Sequence, residues 1–300
     1  MVSLTSRFPH LICPQCRAVE NLKIAPDMAY IQCGSCIQRY ELIDGRYPKM
    51  LTGEIETLEE EVLVQDHVAH NYEELRYKDK WSRAYRDWVG EMILSKVDLS
   101  GLILDNGCGI GPTIEHLAGK NVVGIDISTE AIRLAGKKTD RVLVADSQKI
   151  PFADGTFDTV IARSVLHHLP DYEKGVSEIA RVLRSGGEVV VTDPNKNLCS
   201  AIPRLIAYKV FKGTLFSDDH QNLDRYKIMA AFLRHFKIEE VSFYGYLAYP
   251  IAFPDIVNYF RFVPAKRLVF RSLMAVDRMF STIPFIRTLA WVILVKARKP

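Results

Sequence analysis

No stretch of this 300-residue chain holds the roughly 18 consecutive apolar residues that a membrane-spanning helix needs, so none is expected. Residues 1–10 have no apolar core, so a signal peptide is not expected either, and the expected compartment is the cytoplasm. Cysteine is scarce, six in all, and four of the six fall into two close pairs. A disulfide framework belongs to secreted chains, and nothing here points to one. Net charge is small, +3, which excludes a strongly basic or acidic whole. The balance hides an asymmetry. In residues 196–300 seventeen Lys and Arg stand against seven Asp and Glu, a net of +10, so residues 1–195 carry −7. With 48% hydrophobic residues the length suits one large domain and a small one.

The paired cysteines are Cys13-Pro-Gln-Cys16 and Cys33-Gly-Ser-Cys36, sixteen residues apart. Each pair puts two thiolates on one tight turn, and tetrahedral zinc needs two such turns facing each other. Cys13, Cys16, Cys33 and Cys36 are therefore the expected ligands of a structural zinc in a zinc ribbon over residues 1–51. A module this small lacks a good core, so the metal would supply much of its folding energy. Cys108 and Cys199 stand alone and read as buried thiols.

Residues 102–126 carry the densest signal. Leu102-Ile103-Leu104-Asp105-Asn106 suits a buried strand ending in a carboxylate. Gly107, Gly109 and Gly111 then alternate, which permits positive φ and lets another molecule lie against the backbone. Pro112 fits a first helical turn, and residues 121–126 form a second apolar run ending in Asp126. Strand, glycine loop, helix, strand and acid is the geometry for an adenosine-containing cofactor.

The spacing is not the dinucleotide pattern G-x-G-x-x-G. Asp105-x-Gly107-x-Gly109-x-Gly111 resembles the first motif of the class I S-adenosylmethionine-dependent methyltransferases, D/E-x-G-x-G-x-G. Further motifs resemble the same family: Asp146-Ser147 after a third strand at 141–145, the loop Ile150-Pro-Phe-Ala-Asp-Gly-Thr-Phe-Asp158 before a fourth at 159–163, Ser164-Val-Leu-His-His-Leu169, and Arg181-Val-Leu-Arg-Ser-Gly-Gly187 before a fifth at 188–192. Ser128 suits a helix cap. The resemblance implies a Rossmann-like α/β fold with a mostly parallel seven-stranded sheet whose last strand, 289–297, is antiparallel. It implies that Asp105 faces the ammonium or sulfonium end of S-adenosylmethionine, that Asp126 holds the ribose with Ile127 beside it, and that Asp146 and Ser147 meet the base. Gly107, Gly109 and Gly111 would line the cofactor, and Arg163 would touch it through its backbone. Residues 40–51 resemble the tail of the small zinc-ribbon activator subunits of tRNA and protein methyltransferases.

The family's Asn/Asp-Pro-Pro-Tyr/Phe is missing after the fourth strand, which disfavours methylation of adenine exocyclic amines and glutamine amides. No paired-cysteine catalytic motif supports covalent cytosine chemistry. Methyl transfer to oxygen or nitrogen needs a base for the departing proton, and His167 and His168 are the candidates, with structural roles as the alternative. By resemblance His220 precedes a helix and meets substrate. Residues 52–98 read as helices whose stripe of Tyr72, Tyr77, Trp81, Tyr85 and Trp88 either packs on the main domain or closes over the cofactor.

The main domain, 99–300, has an expected insertion at 245–288, aromatic and basic together, as residues 202–212 also are. Such helices suit an anionic membrane surface, a roof over an apolar pocket, or RNA. The preferred acceptor is small or lipid-linked, with peripheral membrane contact. An RNA methyltransferase with the ribbon as clamp, and a non-catalytic module supporting a partner, are the rival readings. Nucleic acid is the less favoured partner because residues 1–50 carry six basic against four acidic residues.

Overall fold

Two sheets organise the chain in the computed structural model, which describes residues 4–19, 21–52, 59–72, 80–197, 223–249 and 265–300. The first belongs to the ribbon. After a short helix α1 (Leu4–Arg7), strands β1 (Leu22–Ile24), β2 (Tyr30–Cys33), β3 (Arg39–Ile43) and β4 (Tyr47–Pro48) pair in chain order, all antiparallel. Asp44 and Gly45 both take positive φ between β3 and β4, as a tight hairpin turn with right-handed strand twist requires.

The second sheet has seven strands in the order β10-β11-β9-β8-β5-β6-β7. These are β5 (Leu102–Asn106), β6 (Asn121–Asp126), β7 (Val142–Val144), β8 (Phe157–Arg163), β9 (Leu183–Pro194), β10 (Lys237–Tyr244) and β11 (Val292–Arg298). Strands β5 to β9 run parallel, and β11 is antiparallel to both β9 and β10. The connecting helices are α2 (Glu59–Tyr72), α3 (Lys80–Leu94), α4 (Pro112–His116), α5 (Thr129–Ala135), α6 (Tyr172–Val182), α7 (Arg225–Leu233) and α8 (Lys266–Thr282). Near-continuous apolar strands fit a sheet covered on both faces. Leu104, Val123, Val160 and Val189 point to one core, and Ile103, Val122, Ile161 and Val190 to the other.

The ribbon continues the large sheet. Lys49 bridges Val144 in parallel, and the Met50 N–H donates to the Val144 carbonyl at 2.8 Å, so the exposed edge of β7 is capped. Leu11 bridges Phe152, Arg133 pairs with Asp44, and Tyr47 lies against Gly136, where a Cβ would overlap its ring. Ribbon residues Phe8, Ile31, Tyr40 and Met50 share one apolar core with Leu143, Ile150 and Phe152.

Some boundaries differ from expectation. The chain leaves α6 at Leu183, and Ser185-Gly186-Gly187 opens strand β9 instead of ending a helix. The aromatic stripe divides. Tyr85 and Trp88 of α3 pack inward, Tyr85 against Tyr249 and Phe270, whereas the side chains of Tyr72, Tyr77 and Trp81 lie outside the described residues. Of the 245–288 segment, α8 and a 3-10 turn at Ile286–Leu289 are described. The buried carboxylate of Asp277 on α8 accepts the N–H groups of Tyr246 and Leu247, which fastens α8 to the end of β10.

Candidate cofactor and acceptor site

The carboxyl ends of β5, β6, β8 and β9 meet along one edge of the large sheet, where open parallel sheets place ligands. Gly107 leaves β5 with φ +69°, and a Cβ there would lie 2.2 Å from Val165, so only glycine fits. Gly109 differs: a Cβ there would meet nothing within 4 Å, so its face opens onto free space. Gly111 caps α4 in the left-handed conformation.

Four polar groups define the near half of the edge. Asp126, half-buried at the tip of β6, accepts the Gly109 N–H at 2.8 Å and the Ser128 N–H at 2.9 Å. Burial raises its pKa, and these two donors oppose the rise. A carboxylate offers about four acceptor positions, so capacity remains for two hydroxyls. Ile127 beside it is half-buried. Asp146 accepts the Gln148 N–H at 2.7 Å, and Ser147 donates to the Asn106 side chain at 2.7 Å, which joins the tips of β5 and β7. Asp105 is buried, and its Oδ2 has no hydrogen-bond partner. Burial pushes its pKa up to about 7, the Arg163 guanidinium lowers it, and Asp126 raises it further. An orphaned buried acceptor at the head of the glycine loop is a place for a cation.

Arg163 departs from expectation. Its side chain, not only its backbone, faces the site: Nη1 donates to Thr113 Oγ1 at 3.2 Å on α4. Acidic Asp105 and basic Arg163 thus stand as electrostatic neighbours across the loop.

At the far half, His167 and His168 lie with ring centroids 4.0 Å apart but in different surroundings. His167 is buried, and its Nδ1 lies 2.6 Å from Asp193 Oδ1 at the end of β9. Asp193 also accepts the N–H groups of Leu166 and His167. Burial pushes the Asp193 pKa up to about 7 against these donors. His168 is half-buried, and its Nδ1 lies 2.9 Å from Glu61 Oε1. Glu61 is itself buried on α2 and receives an N–H from Gln65 at 2.7 Å. One turn on, Asp66 accepts from Ser128 Oγ and from the Glu130 N–H at 3.1 Å, at the start of α5. Helix α2 therefore spans the edge from the helix behind Asp126 to His168. His220 lies outside the described residues.

Glu61, Gln65, Asp66 and Asp193 escaped the sequence reading. Asp193 had a signal, an acid closing an apolar strand as Asp126 does. Glu61 was one of a cluster of acids with nothing to distinguish it.

The four paired cysteines also converge. Their sulfurs lie within 4.8 Å of one another, with Cys13–Cys36 at 3.6 Å and Cys16–Cys33 at 3.7 Å. Tetrahedral bonds of about 2.3 Å separate sulfurs by about 3.8 Å, so the quartet fits zinc. All four are free thiols, as is buried Cys108, while Cys199 lies outside the described residues.

Comparison with known proteins decides the family. Residues 104–191 match the family model described as a methyltransferase domain. A phosphatidylethanolamine N-methyltransferase from Cereibacter sphaeroides is 32% identical over 165 residues, 46% of this chain and 79% of that protein. The chain belongs to the class I S-adenosylmethionine-dependent methyltransferases. The O-methyltransferase cnsE from Penicillium expansum is 36% identical over 137 residues, 41% of this chain, and the chain spans only 50% of that relative's length. A chain of the complex between the Haloferax volcanii Trm112 methyltransferase activator and a methyltransferase shares the fold, at 18% identity and a TM-score of 0.54, over 81% of this chain and 98% of that chain. Among the described residues no helix is long and apolar enough to cross a membrane. The orphaned Asp105 oxygen, the Arg163 guanidinium and the Asp126 carboxylate stand along this edge.

Proposed function

We propose that this chain transfers a methyl group from S-adenosylmethionine to an oxygen or nitrogen of a small or lipid-linked acceptor. The buried, partnerless Asp105 oxygen, at the head of the loop whose Gly109 has an open face, carries the cofactor part of this reading. Asp105 holds the ammonium, Arg163 the carboxylate, Asp126 the ribose hydroxyls, and Asp146, Ser147 and Ile127 line the base. Bound there, S-adenosylmethionine supplies an electrophilic methyl on its sulfonium. The protein's part is to orient, to exclude water and to move a proton. His168 is the residue placed to take the acceptor's proton. Its Nδ1 lies 2.9 Å from the Glu61 carboxylate, which would stabilise the ring once it has taken that proton. His167, bonded to buried Asp193, fixes the loop after β8 and serves as a structural pin.

The acceptor class draws on the relatives, which include a phospholipid N-methyltransferase and a sterol 4-C-methyltransferase. It also draws on the basic and aromatic composition of the C-terminal third, which suits an anionic membrane. Incubation with methyl-labelled cofactor and either a total lipid extract or tRNA tests it. Label in the lipid fraction supports the reading; label in the RNA overturns it in favour of an RNA methyltransferase.

Cys13, Cys16, Cys33 and Cys36 hold one zinc ion in the same proposal. Metal analysis of reduced protein is expected to find one zinc per chain, and stripping the zinc is expected to lower Tm, because the ribbon shares its core with β7. A metal-free chain of unchanged Tm would refute the assignment.

A further inference from the structure

Outside the edge just described, one concave apolar surface carries unneutralised charge. A groove of about 500 Å³ lies between α7 and the sheet's edge strand β10, within the roughly 300–1,000 Å³ typical of ligand sites. Met229, Ala230, Leu233, Val241 and Phe243 form its floor and walls. Leu233 and Tyr226, both lining it, are more than half exposed, so apolar surface is left to water.

The charges lie at one end. Helix α7 returns into β10 through a short turn, so its first residue, Arg225, stands beside the last residues of β10 and its last, Leu233, lies toward the strand's start. Arg225 and Arg287 line the groove together with Phe243 and Thr288, at the carboxyl end of the sheet. The Thr288 carbonyl accepts from Asn195 at the end of β9, two residues beyond Asp193, so this end borders the acceptor half of the site.

Neither arginine has an acidic partner among the described residues. Arg225 donates to the Tyr226 hydroxyl at 2.7 Å, with its guanidinium 4.6 Å from that ring. Asp224, next in sequence, is occupied as the cap of α7 and accepts two N–H groups. Arg234 and Glu173 neutralise each other, and Glu239 is held by Lys296 and Arg298. An apolar trough with two available guanidinium groups at its head is complementary to a chain with one anionic end.

We propose that the α7–β10 groove binds a single long-chain anionic amphiphile, with its alkyl chain along Met229, Ala230, Leu233 and Val241 and its phosphate or carboxylate head between Arg225 and Arg287. The inference extends the reading of a lipid-linked acceptor but is a statement about binding, which stands or falls without turnover.

The test is calorimetric titration of the zinc-loaded full chain with decyl phosphate below its micelle concentration. One molecule should bind per chain, and affinity should rise from octyl to decyl phosphate, by up to about fourfold for each methylene buried. Decyl maltoside and inorganic phosphate should each bind at least tenfold more weakly. Ala230→Trp, which fills the groove from an exposed position, and the pair Arg225→Gln with Arg287→Gln should each weaken decyl phosphate at least tenfold and leave S-adenosylmethionine affinity unchanged. Equal binding of decyl maltoside, no dependence on chain length, or no effect of the glutamine pair would overturn the proposal. Should Ala230→Trp misfold, the glutamine pair and the chain-length series decide. Amphiphile binding without S-adenosylmethionine binding would sink the methyltransferase reading and spare the groove.

Discussion

Three strand tips on one sheet edge end in aspartates of identical chemistry and different standing. Asp193 on β9 is buried and has both oxygens engaged, by two backbone N–H donors and the His167 ring. Asp126 on β6 is half-buried and accepts two N–H groups, which leaves acceptor capacity toward the open face of Gly109. Asp105 on β5 is buried with one oxygen unpartnered. A carboxylate at the end of a strand is therefore not by itself a ligand site. In the proposed reading, what separates the structural acid from the two assigned to the cofactor is how many of its lone pairs the protein has already filled.

Substitution should divide the three in the same way. Asp193→Ala strands two N–H donors and a buried histidine, so it should cost about 3–5 kcal/mol of stability, read by denaturant unfolding. A well-folded variant with wild-type midpoint would remove the distinction. Asp126→Ala should act on the ligand instead. The loss of charged hydrogen bonds predicts about 1.5–3 kcal/mol in S-adenosylmethionine affinity, roughly 10- to 150-fold, with a smaller change in stability. Unchanged affinity would dissolve the assignment of Asp126 to the ribose.

Arg163→Met sharpens the contrast with a second ligand. Affinity for S-adenosylmethionine should fall about tenfold, at the weak end for a charged hydrogen bond because the site is half-open. Affinity for the decarboxylated cofactor should not move. Equal losses for both would show a packing effect in place of carboxylate recognition.

Asp105 gives the smallest and most specific signal. Its folded pKa of about 7 lies above the unfolded value of about 3.9. The native state then holds the extra proton between those values, so this group's contribution to stability is greatest below about pH 4 and declines as pH rises toward 7. Binding of a cation runs the other way: affinity for S-adenosylmethionine should rise as pH increases through 6 to 7, by less than tenfold per unit. Asp105→Asn should flatten both slopes, and a slope that persists in the variant would assign it to another group.

How far these distinctions could be read from sequence follows from their range. The strand, glycine loop and acid at residues 102–126 are local, and each residue type answers a local demand, so this strand–loop–helix–strand unit was legible. The convergence of the two cysteine pairs was legible for the same reason, since each pair sits on one short turn. The Glu61–His168 pair joins residues more than a hundred positions apart, and no periodicity marks one glutamate among five acids in 54–61. The direction of the Arg163 side chain is set by its contact with Thr113, fifty positions away on α4. His220 and the segments 202–212 and 250–264 lie outside the described residues, so the acceptor half rests on fewer groups than the cofactor half.

The central claim is that the open side of this edge is shaped for S-adenosylmethionine and not for a dinucleotide. Calorimetric titration of the zinc-loaded chain with S-adenosylmethionine, S-adenosylhomocysteine and NAD tests it most directly. The account predicts one site per chain for the first two and no detectable binding of NAD. NAD binding, or the absence of binding by both S-adenosyl compounds in a folded protein, would contradict it.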